Sequence, residues 1–242
     1  MDDEIRSRST LTQPLLQRVC AVLVALAIAV TAAAQARPSH GVLFEPENLG
    51  LLEGPDRDLW QLPGQIMDAL GIAERSVVAD IGAGGGWFTI RLARRVGPNG
   101  IVYAEDIQRQ MLEATGKRVA REGLSNVRTV LGTSEDPRLP ANVLDAVLMV
   151  DTYHELENAV VLLRAIAKAL KPQGRVGVVD FKKDGLGPGP ALEDRPDPDQ
   201  IVRDAEAAGL TLVRRETSLP YQFLLVFTRR PSTGLGAGSV IR

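Results

Sequence analysis

Cysteine and histidine are nearly absent from this chain of 242 residues, which has one cysteine and two histidines. Cys20 lies in an apolar stretch near the N-terminus and lacks the small-residue context of a lipid-attachment site. Once that stretch is removed, disulfides, thiol nucleophiles and thiolate metal sites are excluded. His40 and His154 are too few for a histidine metal cluster. An excess of positive charge is missing too: the formal net charge is -2, and nucleic acid, which calls for a basic face, is not an expected partner. Chemistry must come from carboxylates, hydroxyls, one imidazole or a cofactor.

A run long enough to cross a membrane is also lacking at the N-terminus. Residues 19–34 are apolar, follow Arg6, Arg8 and Arg18, and close on the small-residue string AAAQA. Roughly 16 residues at about 1.5 Å each give ~24 Å, short of a hydrocarbon core of about 30 Å. A signal peptide over residues 1–36, cut after Ala36 and giving an exported (periplasmic or secreted) protein, is the expectation. An N-terminal anchor with membrane contact through this segment is the rival, and a cytoplasmic location stays open. Residues 37–230 then form one domain of a size suited to a single α/β core. Residues 231–242, PSTGLGAGSVIR, read as a disordered tail.

What is present is an alternation of short β-branched runs with segments of helical period, the mark of a parallel sheet covered by helices. Strands are expected over residues 76–81, 101–106, 127–131, 144–150 and 175–181. In ENAVVLLRAIAKALKPQG, Leu163, Ile166 and Leu170 share one helical face, and the helix should stop at Pro172 and Gly174. A helix over residues 198–208 has Asp197 as its N-cap, Pro198 in its first turn and Gly209 as its terminator. Upstream, RDLWQLPGQIMDAL reads as a helix broken or begun around Pro63. The Pro- and Gly-rich segment KKDGLGPGPALEDRPDPD makes a long loop on the carboxyl edge of the sheet, either a mobile connector or a substrate-facing element. LTLVRRET and SLPYQFLLVFTRR should pair as an antiparallel hairpin. The fold class expected is α/β: a Rossmann-like doubly wound sheet, mostly parallel, of seven strands with a C-terminal antiparallel hairpin.

VVADIGAGGGWFTIRLA places Gly82, Gly84 and Gly86 between a strand and a helix, where the backbone can approach a ligand closely and helix N–H groups face the crevice. Tight strand-to-helix packing alone would explain the same glycines. About 20 residues further on, Asp106 ends the second strand, where a carboxylate can grip a ribose diol. By strand alternation its neighbour Glu105 should face the other way, as a solvated or helix-paired acid. Dinucleotide enzymes share such an acid, but here Trp87 stands where their fingerprint wants a third glycine.

Together with VYAEDIQRQMLE, LDAVLMVDTYHE, LLRAIAKALKPQGRVGVVDF and the terminal hairpin, these residues resemble the class I S-adenosylmethionine-dependent methyltransferases over residues 60–229. The later segments are similar to the small-molecule type related to quinone-biosynthesis enzymes. The resemblance implies S-adenosyl-L-methionine as cofactor and a small-molecule or lipid-like methyl acceptor. It implies that Asp80 helps hold the cofactor's amino group, that Gly82, Ala83 and Gly84 line its methionine portion, and that Asp106 and Ile107 meet the ribose and adenine. Thr133 and Ser134 fall in the adenine-edge loop, with Thr133 standing where relatives commonly carry an aspartate. Asp151 borders the cofactor at the head of the DTYHEL loop, where the methyl group should emerge. Tyr153, His154 and Glu155 follow, and with Asp151 they are the candidates for acceptor contact. His154 is either a general base near neutral pH or a capping or packing histidine; Tyr153 is either a pocket wall or a core residue. A nicotinamide-dependent oxidoreductase, a non-catalytic cofactor-binding domain and a protein-binding module remain the alternatives.

Overall fold

The β-branched runs fold as strands because each can be buried on both faces of one sheet. The computed structural model describes residues 43–230; the expected signal segment and tail lie outside the described residues. The strands are β1 (Val77–Ile81), β2 (Ile101–Asp106), β3 (Val127–Leu131), β4 (Leu144–Val150), β5 (Leu170–Phe181), β6 (Leu210–Glu216) and β7 (Gln222–Arg229), in the order β3-β2-β1-β4-β5-β7-β6. β1 to β5 run parallel, and β7 is antiparallel to both β5 and β6. The expected mostly parallel seven-stranded sheet with a terminal hairpin is thus observed.

The helices are α1 (Arg57–Gln61), α2 (Pro63–Ala69), α3 (Trp87–Val96), α4 (Arg109–Arg121), α5 (Ala159–Ala169) and α6 (Pro198–Ala207). Alternation within the strands splits the core in two. Ala79, Ile81, Val147 and Met149 pack on Leu163 and Ile166 of α5 and on Ile201 of α6. Val78, Val102 and Leu148 pack on Ile66 of α2 and on Phe88 and Leu92 of α3. Each fully buried side chain of this size contributes about 1.5–3 kcal/mol.

Helix punctuation follows the residues expected to supply it. The Asp197 carboxylate accepts from the Asp199 N–H at 2.9 Å, capping α6. Leu62 breaks α1 from α2 with φ of +50°, just before Pro63. One boundary differs: α5 ends at Ala169 rather than at Pro172. Leu170 turns extended to pair with Leu144, and the register shift between Leu144 and Ala146 absorbs the Pro172 and Gly174 segment before Arg175 rejoins β4. A residue preceding proline is disfavoured in helical geometry, and the chain leaves the helix even earlier because a strand partner is available.

The chain order reverses between β1 and β4, with β2 and β3 on one side and β5 on the other. In such sheets the loops beyond the strand ends diverge and leave a crevice there.

Candidate active site

The crevice holds a cavity of about 720 Å³, within the range of small-molecule sites. Its floor is the glycine loop between β1 and α3. Gly82 has φ of +67°, and a Cβ there would overlap the Thr152 side chain, so close approach of the two loops demands glycine. The loop is held from β2: Gly84 N–H donates to Asp106 Oδ2 at 2.9 Å, Ala83 N–H to the Glu105 carbonyl at 2.9 Å, and the Thr115 hydroxyl to the Gly84 carbonyl at 2.7 Å. Asp106 Oδ1 takes the Gln108 N–H at 2.8 Å. Each carboxylate oxygen has a second lone pair, so Asp106 can serve the loop and still accept from a diol. Burial raises its pKa despite these donors.

Glu105 corrects the expectation of a solvated or helix-paired acid. Its side chain is 2 % exposed, and Oε1 has no partner among the described residues. The carboxyl packs against Gly132 and receives the Gly82 N–H. Burial, with Asp106 beside it, pushes its pKa up to about 8. Asp80 is buried as well; it accepts from the Thr89 hydroxyl at 2.6 Å, and burial raises its pKa to about 7. Thr133 and Ser134 line the cavity beside Ile107, but Thr133 Oγ1 accepts from the Asp136 N–H at 3.0 Å and so closes its own turn.

On the β4 side, Asp151 adopts φ of +54°, a strained conformation for a residue with a Cβ. Its Oδ1 accepts from Gln222 Nε2 at 2.6 Å, its Oδ2 lies 3.7 Å from Arg57 Nη2, and burial raises its pKa. The single 3-10 turn Tyr153–Glu155 then sends neighbouring side chains in different directions. His154 and Glu155 line the cavity. Tyr153 does not: it enters the core, and its hydroxyl donates to Asp204 Oδ2 at 2.6 Å. Placing Tyr153 at the acceptor is therefore corrected to a core role, because a hydroxyl buried against α6 finds its partner there.

His154 Nδ1 lies 3.3 Å from Asp180 Oδ2. Burial alone would lower the imidazole pKa, but the hydrogen bond and charge of Asp180, with Glu155 and Asp151 nearby, raise it to about 9. At neutral pH the ring is imidazolium, and a general base near neutrality is not what this environment makes. Burial raises Glu155 to about 7.

Several residues in and behind the cavity wall carry no signature in the sequence. Arg57 and Gln61, four apart on α1, are bonded Nε to Oε1 at 2.5 Å, and Gln61 Nε2 reaches Gln222 Oε1 at 2.6 Å. The i, i+4 spacing is visible in the sequence; the partner on β7, 161 residues away, is not. Trp60 sits 6.0 Å from Phe181 and 6.0 Å from Tyr221. Pro188 and Pro190 of the long loop line the cavity, and this loop is tied down. Arg195, 4 % exposed, donates to the carbonyls of Lys182, Leu186, Pro188 and Pro190.

Residues 78–174 match a protein family described as a methyltransferase domain. A solved S-adenosylmethionine-dependent methyltransferase from Aquifex aeolicus superposes with a TM-score of 0.74 at 28 % identity, over 77 % of this chain and 100 % of that one. The chain is similar in sequence and fold to the class I S-adenosylmethionine-dependent methyltransferases. The ubiquinone/menaquinone biosynthesis C-methyltransferase UbiE of Pasteurella multocida is 32 % identical over 123 residues, 50 % of this chain and 46 % of that protein. Nocamycin O-methyltransferase of Saccharothrix syringae is 33 % identical over 115 residues, 48 % of this chain and 39 % of that protein. The chain thus spans less than half the length of these two curated relatives.

The site of this methyltransferase domain fits the family's cofactor. Asp106 keeps acceptor capacity beside the glycine loop, Ile107 and Met111 offer apolar surface next to it, and Asp80 and Asp151 are buried acids that a cationic amino group would relieve. Trp87, gripped between Arg57 at 4.3 Å and Arg91 at 3.4 Å from its ring centroid, fills the start of α3 where a dinucleotide's pyrophosphate would need open backbone.

Proposed function

We propose that the protein transfers the methyl group of S-adenosylmethionine to an apolar small-molecule or lipid-like acceptor whose reacting oxygen lies at His154. The observation that carries this reading is that His154, held from behind by buried Asp180, and the glycine loop line one cavity. The bound sulfonium supplies an electrophilic methyl group, and the protein's share is positioning, exclusion of water and charge. Asp180 fixes Nδ1, leaving Nε2, 4.0 Å from Glu155 Oε1, for the acceptor. The imidazolium donates to the acceptor oxygen and stabilises its anion after the acceptor proton has left to water.

An apolar acceptor is supported by the Trp60, Phe181 and Tyr221 cluster on the wall. It is supported also by Leu43 and Leu51, which line the cavity and are 40 % and 78 % exposed. Leucines placed in water at a cavity favour an apolar visitor. The relatives named above act, by their names, in quinone biosynthesis and on nocamycin, which is consistent with a small molecule.

The test is incubation with methyl-labelled S-adenosylmethionine and fractionated lipid and phenolic extracts. Label should enter an organic-soluble product in step with S-adenosylhomocysteine release, and His154→Ala should depress this about 10²- to 10³-fold. Cofactor binding without transfer to any fraction would contradict the proposal.

A further inference from the structure

We propose that Arg57 recognises the α-carboxylate of the cofactor's methionine end, so that the cavity reads that end as an amino-acid zwitterion. This rests on the cofactor reading of the same site. Three observations converge on it.

The first is charge. Among the described lining residues, Arg57 alone carries a permanent positive charge, against acids that include Glu53, Asp80, Asp106, Asp151 and Glu155. Asp80 and Asp151 suit the ammonium group, but a carboxylate entering beside them needs a cation. The other cation of the lining, the His154 imidazolium, is already engaged by Asp180 at 3.3 Å, which leaves Arg57 for the carboxylate.

The second is the fate of the glycine-loop donors. A strand-to-helix glycine loop ordinarily offers its N–H groups to an anion. Here the N–H groups of Gly82, Ala83, Gly84 and Gly86 go to Glu105, the Glu105 carbonyl, Asp106 and the Ala83 carbonyl, which leaves Gly85 as the loop's remaining donor to the cavity. One neutral N–H is a weak partner for a carboxylate, and α1 supplies the one guanidinium across the cavity.

The third is preparation of the side chain. Arg57 is 8 % exposed; Nε is fixed by Gln61 Oε1 and Nη1 by the Leu52 carbonyl, each at 2.5 Å, and its plane lies over Trp87. Nη2 faces Asp151 Oδ2 across 3.7 Å, an ion-pair distance too long for a hydrogen bond. Two fixed nitrogens orient the third toward the junction of the glycine loop and the β4 loop. Arg91, on the same tryptophan, is already held by both oxygens of Asp58 at 2.9 and 2.7 Å and does not line the cavity.

The experiment titrates S-adenosylhomocysteine and its decarboxylated analogue, S-adenosyl-3-thiopropylamine, which keeps the amine, into the full protein. Wild type should bind the first about ten- to a hundredfold more tightly, as a charge-assisted contact warrants. Arg57→Gln should weaken S-adenosylhomocysteine by that factor and leave the analogue within about twofold, with Arg57→Lys in between because the fork is lost and the charge kept. A preference that survives in Arg57→Gln, or equal loss of both ligands, overturns the inference. So does wild type that binds both ligands equally, a result that needs no folded variant. Failure of wild type to bind either ligand would instead sink the cofactor reading itself.

Discussion

Asp180, fully buried at the end of β5, holds His154 of the β4 loop by an Oδ2 to Nδ1 contact of 3.3 Å. The pair joins two adjacent strand ends at the cavity and keeps the imidazole charged at neutral pH.

That charge fixes the direction of a pH dependence. If the imidazolium assists transfer, the rate per folded molecule should fall as pH rises through about 9, whereas a general base would make it rise with pH. The same raised pKa makes His154 a stabilising group below its unfolded value of about 6.5, an effect lost as pH climbs through the folded value. Thermal unfolding of wild type against His154→Gln should show the wild-type advantage at pH 6 shrinking by pH 9.5. A constant difference would show that folding leaves the His154 pKa unshifted, and an advantage that grows with pH would show that the fold holds the ring neutral.

Glu105 gives a second pH test. Its folded pKa of about 8 lies above the model-peptide range, so the fold prefers the protonated acid, and stability from this group declines as pH rises from about 4.5 toward 8. Glu105→Gln keeps the shape and removes the proton. Its stability relative to wild type should increase across that window, read by chemical unfolding at pH 5, 7 and 8.5.

Tyr153→Phe separates core from acceptor roles. Loss of the 2.6 Å bond to buried Asp204 should cost about 1.5–3 kcal/mol of stability, measured by denaturant unfolding. Cofactor affinity and transfer rate per folded molecule should stay within about twofold of wild type. A large fall in rate with stability intact would return Tyr153 to the acceptor site.

The N-terminus carries a proposal of its own: removal of residues 1–36 on export. Intact-mass measurement of protein from its native source should show a start at Arg37. A cytosolic chain beginning at Met1 would contradict both cleavage and export.

Strand positions were legible because two-face burial leaves uninterrupted β-branched runs, and β2, β3 and β4 begin and end where those runs do. Asp106 and the glycine loop were legible because a phosphate- or ribose-type crevice needs local backbone freedom and a nearby acid. Glu105 was misread because alternation gives the face of a side chain and not its solvent access, which depends on how the loop at Gly132 closes over it. Tyr153 and His154 could not be separated in sequence, since a 3-10 turn has no alternation from which to choose. Arg57, Gln61 and Asp180 were missed for a different reason: their meaning lies in partners on β7 and in the β4 loop, contacts that only the folded sheet creates.

Equilibrium titration of S-adenosylmethionine and of NAD into wild type, Asp106→Ala and Asp106→Asn tests the central claim most directly. The account predicts saturable binding of S-adenosylmethionine and not of NAD. Asp106→Ala should weaken that binding about ten- to a hundredfold, and Asp106→Asn less, because it retains an acceptor oxygen. Unchanged affinity in a folded Asp106→Ala variant, or binding of NAD in place of S-adenosylmethionine, would contradict it.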